Sequence, residues 1–144
     1  MTDDEYMQHA IRQAERGQTP FGAVLVRDGK VVAEAYNTVG QDHDPSAHGE
    51  INVLRRAGDK LQTTDLSGSV LYTTGEPCPM CMSAILYAGV ERVVYGASIP
   101  QIAEFMTQIP LRSQEVINVA KSKTTLTGEV AADACVELLQ RYAP

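Results

Sequence analysis

No stretch of the 144-residue chain approaches the roughly 18 consecutive apolar residues that a membrane-spanning helix needs, which excludes such a span. The opening residues, Met1-Thr2-Asp3-Asp4-Glu5, are acidic and lack an apolar core, so no secretory signal is expected there. Cysteine is scarce. Three residues, with no signal before them, argue against a disulfide framework and for a reducing, cytoplasmic setting. Concentrated positive charge is also missing. Twelve Lys and Arg against eighteen Asp and Glu leave a formal net charge of −6. Arg55-Arg56 is the one adjacent basic pair, and it reads as a solvated helix face. A phosphate backbone is ordinarily met by a basic surface, so composition favours a small uncharged partner over a nucleic acid.

What is present is the make-up of one globular domain over residues 1–144, with 44% hydrophobic and 21% charged residues. Thr2 to Glu5 has the spacing of a capping box, and Met7, Ala10, Ile11 and Ala14 recur at helical spacing up to Gly17. Phe21–Arg27 and Lys30–Tyr36 are β-rich runs around Asp28-Gly29, a hairpin signal. A polar loop, Asn37–Pro45, leads into a helix over Ser46–Ala57 with Gly58 as its stop. Ser69–Thr74 reads as a third strand. Pro79–Ala88 reads as a helix opened by proline and closed by Gly89, and Glu91–Gly96 as a fourth strand. Strand, helix and strand at this spacing predict a parallel crossover. Ala97–Pro110 has no clear pattern. Ser113–Ala120 predicts a short helix, Lys123–Thr127 a fifth strand and Val130–Tyr142 a final amphipathic helix. The fold class that follows is a three-layer α/β/α sandwich around a five-stranded mixed sheet.

Two segments carry the chemistry: Ala47-His48-Gly49-Glu50-Ile51 and Glu76-Pro77-Cys78-Pro79-Met80-Cys81. Cys78 and Cys81, three apart at a helix start, place both sulfurs on one side of the first turn. The positive helix end there stabilises thiolates, the form that binds zinc. Alone, the pair is ambiguous between a redox dithiol and half of a structural zinc site. His48 adds a third ligand, and three protein ligands are what a catalytic zinc uses, with the fourth position left to water. His9 and His43 are spare candidates that read as solvent-facing, and Cys135 reads as a packing thiol. His-x-Glu followed by Pro-Cys-x-x-Cys is the signature of zinc deaminases, in which the glutamate is not a ligand. In that frame zinc with two thiolates and a neutral imidazole sums to zero charge, and a bound hydroxide makes the site negative, so Glu50 beside it gains the raised proton affinity that a general acid–base needs.

At these residues the chain resembles the cytidine deaminase-like superfamily. Pro20-Phe21-Gly22-Ala23-Val24 and Asp44-Pro45-Ser46-Ala47-His48 are similar to guanine deaminases. Leu71-Tyr72-Thr73-Thr74 and His48-Gly49-Glu50 resemble fungal cytosine deaminases. Gly128–Leu139 resembles the last helix of tRNA adenosine deaminases. The resemblance implies a sheet covered by helices on both faces, and a homodimer. It implies hydrolytic loss of an exocyclic amine, with Glu50 moving protons and with zinc on His48, Cys78 and Cys81. It further implies that Asn37 hydrogen-bonds the substrate, that backbone groups near Ala23 and Ala47 line the pocket, and that Phe105 is a candidate stacking ring. Two departures bear on the substrate. Gln101–Pro110 offers only Glu104 and Gln108 where guanine deaminases carry an acidic residue. Ser98-Ile99-Pro100-Gln101-Ile102 replaces the basic, glycine-rich segment of the tRNA enzymes. A free nucleobase or related amino heterocycle is therefore expected, guanine-type first and cytosine or an amino-triazine next. tRNA adenosine is the alternative substrate, and a structural zinc module or a thiol redox protein is the alternative of another class.

Overall fold

A computed structural model describes residues 1–144. Helix α1 spans Asp3–Gly17, and the Thr2 side chain accepts from the Glu5 amide at 3.2 Å, as the capping-box spacing predicts. Strands β1, Gly22–Arg27, and β2, Lys30–Tyr36, form the expected hairpin. Asp28 and Gly29 both lie in the left-handed region that a two-residue turn requires (φ 53 and 72). The polar loop contains one short helix, α2, Val39–Asp42. Helix α3 then runs Gly49–Leu61, strand β3 Ser69–Gly75, helix α4 Pro79–Ala88 and strand β4 Arg92–Ala97. Helices α5, Ile99–Ala103, and α6, Ser113–Ala120, lead to strand β5, Thr125–Thr127, and helix α7, Ala132–Tyr142, ends the fold.

The sheet order is β2-β1-β3-β4-β5. The first three strands pair antiparallel, and β3, β4 and β5 pair parallel, so the sheet is mixed. Alternation along β1 shows why both faces are covered. Val24 and Val26 point into a core cluster with residues of α1 and α7, while Ala23 and Leu25 point into a second cluster with residues of α3 and α4. The result is the expected three-layer α/β/α sandwich.

One helix stop differs from expectation: Gly58 lies inside α3, which runs on to a left-handed cap at Gln62 (φ 53). Helix α1 ends at Gly17 as expected, with Gln18 as its left-handed cap (φ 53). Gly17 is also required by close approach: a Cβ there would stand 2.2 Å from Cδ1 of the Tyr36 ring. The stretch after β4 also acquires structure. Ser98 and Gln101 form a capping box that starts α5 directly behind Ala97. One consequence positions the site. The loop after β2 and the loop after β3 each feed a helix N-terminus, and these two helix starts, of α3 and α4, converge.

Candidate metal centre and cavity

His48 is the N-cap residue of α3 and Cys78 that of α4. Neither side chain bonds back to its own helix, so both are free to turn toward a common point. Cys81, fully buried in the first turn of α4, completes the group. His48 Nδ1 lies 3.4 Å from Cys81 Sγ and 3.7 Å from Cys78 Sγ, and the three candidate ligand atoms all fall within 4.8 Å of one another. Zinc–ligand bonds of about 2.3 Å to sulfur and 2.0–2.1 Å to nitrogen, at tetrahedral angles, separate N and S by about 3.6 Å. The two N–S spacings therefore fit a zinc ion held by His48, Cys78 and Cys81.

The electrostatics of the group agree with that fit. Cys78 and Cys81 share one proton, because a thiol on Cys81 bonds the thiolate of Cys78. This drives Cys78 well below the ordinary thiol range and Cys81 above it. His48 is raised, first by its bond to Cys78. Glu50, in the first turn of α3 and 6% exposed, is pushed up to about 7, mainly by burial and then by the Cys78 thiolate. A carboxyl titrating there is poised to accept and return a proton near neutral pH.

The loops that deliver His48 and Cys78 are tied down by two residues, Asn52 and Glu76, to which the sequence assigned no role. Asn52 donates through Nδ2 to Tyr36 O and Thr38 Oγ1, both at 2.9 Å, and to Ala47 O at 3.3 Å. It thereby fastens the end of β2 to the residue before His48. The Glu76 side chain is 1% exposed and accepts from Ile99 N, Ser113 N and Arg112 Nε. A local signal for Asn52 existed, since a polar residue four after His48 sits on the inner face of the same helix. None existed for Glu76, whose partners lie more than 20 residues away.

A cavity of about 410 Å³ opens over the group. His48, Glu50 and Cys78 form its floor. Pro20, Phe21, Asn37, Ile102 and Met106 to Gln108 form walls, and Tyr142 and Pro144 also line it. The volume lies in the range of small-ligand pockets. No lysine or arginine is among its lining residues.

Asn37 sits in the wall with its orientation fixed: Oδ1 accepts from Val39 N at 3.0 Å, which leaves Nδ2 unused by the protein. Ala23, Ala47 and Phe105 are not themselves among the lining residues, whereas Phe21 and His48, close to Ala23 and Ala47 in the chain, are. Ala23 is an interior residue of β1, laddered to Ala35 on one side and Thr73 on the other. Ala47 is buried, donates to Asp44 O and accepts from Thr38 N. Phe105 packs against the core cluster under α1 and α7, and the next three residues reach the cavity in its place. Cys135 is buried in that same cluster. His43 is exposed, whereas His9 is partly buried and meets Glu34 at 3.0 Å.

Comparison with known proteins agrees with this geometry. A family model described as the cytidine and deoxycytidylate deaminase zinc-binding region matches residues 1–97. The tRNA-specific adenosine deaminase of Bacillus subtilis is 42% identical over 123 residues, which cover 82% of this chain and 76% of that protein. The guanine deaminase of the same organism is 38% identical over 109 residues, 72% of this chain and 70% of its own. The structure of NE0047 in complex with 2,6-diaminopurine superposes with a TM-score of 0.91 at 26% identity, covering 99% of this chain and 82% of that one.

Proposed function

The chain belongs to the cytidine and deoxycytidylate deaminase zinc-binding family and is a zinc-dependent deaminase; from that premise we propose that it hydrolyses the exocyclic amine of a free amino heterocycle, a guanine-type purine first. The observation that carries this reading is the cavity itself. It is sized for one planar ring system, lined in part by the C-terminal end of α7, and free of lysine and arginine. The superposition on NE0047 with a bound purine supports it along nearly the whole chain.

In this reading His48, Cys78 and Cys81 hold the zinc. When bound, zinc acts as a Lewis acid that brings the pKa of a water ligand from about 15.7 toward about 7. The protein's own groups do the rest. Glu50 takes a proton from the water whose oxygen bonds to the amino-bearing ring carbon, and delivers it to the adjacent ring nitrogen. Glu50 then carries the second proton to the amine as the C–N bond breaks. Ring amine and water thus become ring carbonyl and ammonia. Asn37 Nδ2 offers a hydrogen bond to a ring acceptor, and Phe21 and Met106 supply apolar contact.

A second reading, deamination of adenosine in tRNA, is favoured by the 42% identity to the Bacillus subtilis enzyme. The two separate in one experiment. kcat/KM is measured on guanine, cytosine, their nucleosides and an adenosine-containing anticodon stem-loop. Preference for guanine is expected. Preference for cytosine overturns the purine assignment, and preference for the stem-loop overturns the free-base reading.

The proposal includes a homodimer. Helix α4 is apolar nearly all round, yet only Cys81, Met82 and Ile85 are buried, and Tyr87 is 92% exposed. A helix of that composition ordinarily has cover on every side, and an open groove with Leu54, Leu66 and Ala84 runs beside it. Light scattering should give twice the 15.6 kDa chain mass, and Tyr87→Asp should shift it to the monomer.

A further inference from the structure

Glu76 and Arg112 lie outside the chemistry described above, and Arg112 falls in the stretch with no recognisable motif. The Glu76 carboxylate has four polar contacts. Oε1 accepts from Ile99 N and Arg112 Nε, both at 2.9 Å. Oε2 accepts from Ser113 N at 2.9 Å and from Arg112 Nε at 3.0 Å. Ile99 and Ser113 are the first residues of α5 and α6, so one carboxylate satisfies an open N–H at the start of two helices. Ser113 Oγ adds a bond to Pro77 O at 2.7 Å, and Arg112 Nη2 another to Tyr95 Oη at 3.2 Å. Between the two attachment points the chain leaves and returns, and on that excursion it contributes Ile102, Met106, Thr107 and Gln108 to the cavity. Glu76 closes this excursion at both ends. It also stands two residues before Cys78 and is itself among the residues lining the cavity.

We propose that Glu76 and Arg112 are a positioning pair that holds the 99–113 segment as one wall of the cavity at a fixed distance from the metal ligands, and so set which ring the site accepts. Two observations separate this from ordinary ion-pair stabilisation. The carboxylate is spent entirely on the two ends of the wall segment, and Arg112, 44% exposed in its side chain, covers the pair from solvent without touching the cavity. Loss of the pair should therefore act on substrate placement ahead of the metal and of Glu50. The proposal rests on the small-heterocycle reading for its kinetic part alone.

The test uses Arg112→Ala and Arg112→Lys in the zinc-loaded full chain, with metal analysis, steady-state kinetics on the heterocycle that the unaltered protein turns over best, and hydrogen exchange of residues 99–113. Arg112→Ala should keep one zinc per chain, speed exchange across 99–113 and raise KM between about tenfold and a hundredfold, with kcat within about threefold. Arg112→Lys should restore part of KM, and added guanidinium should lower KM for Arg112→Ala alone. Unchanged KM and unchanged exchange overturn the proposal. So does loss of zinc, or a fall in kcat at unchanged KM, since either places the effect on the metal side of the floor. If the unaltered protein releases ammonia from no free heterocycle, the small-substrate reading fails. The exchange of 99–113 then still decides the pair's role: faster exchange with zinc retained supports it, and unchanged exchange overturns it.

Discussion

The thiol of Cys135 fills the space that a side chain on Gly96 would need: a Cβ at that position would stand 2.2 Å from Cys135 Sγ and 2.9 Å from Thr74 O. Gly96 belongs to β4 and Cys135 to α7, so this contact sets how closely the last helix packs on the sheet. Gly96→Ala should destabilise by about 1–3 kcal/mol through overpacking, read as a fall in the denaturation midpoint. Burial pushes the Cys135 thiol up to about 12, which keeps it protonated and unreactive toward thiol reagents in the native state. Cys135→Ser should leave zinc content unchanged.

The metal ligands should behave differently. Cys78→Ala removes one of the three residues His48, Cys78 and Cys81 that form the candidate ligand group. Zinc content should fall well below one per chain, with a lower melting temperature, because the ion ties α3 to α4. A Cys78→Ala/Cys81→Ala double variant that keeps full zinc would show that the ion is held elsewhere.

Glu50 separates chemistry from binding. Glu50→Gln should keep zinc and fold while turnover drops by about 10²–10⁴ or more. The metal-free protein offers a second readout. Burial raises the folded carboxyl from its ordinary value of 4.5 to about 7, so the native state binds the extra proton. Stability is then fully present below about 4.5 and is lost as pH rises toward about 7. Compared with Glu50→Gln, the unaltered metal-free chain should lose stability across that window and run parallel above it. A flat difference between the two denaturation curves would show that Glu50 ionises freely.

Much of this was readable in the chain, and the division has a physical cause. The Asp28-Gly29 turn, the Pro79–Ala88 helix and the Thr2 cap are local devices, and each was expected at its observed place within a residue or so. The metal group was legible because its spacing reports helix starts. Gly58 was misread as a stop because α3 continues past it to Leu61. Phe105 was expected in the cavity because aromatic rings suit planar ligands, but it packs against the core cluster. The role of Glu76 was invisible because its partners, Ile99, Arg112 and Ser113, come together only through the fold.

Asn37 gives the sharpest test of substrate contact. Its Oδ1 is committed to the Val39 amide, which shapes the turn into α2, and Nδ2 is left to the cavity. Asn37→Asp preserves the acceptor that the turn needs and replaces the Nδ2 donor with a second acceptor. The new carboxylate also adds negative charge to a cavity that already holds Glu50, which should raise the Glu50 pKa further. Asn37→Asp should therefore keep zinc and thermal stability, raise KM by about tenfold or more through the lost donor, and shift the acid limb of the kcat profile to higher pH. Asn37→Ala should share the KM effect and in addition lose stability, because the Val39 amide goes unpaired. If Asn37→Asp leaves KM unchanged while Asn37→Ala destabilises, Asn37 serves the turn alone, and the ring is held by other groups of the wall.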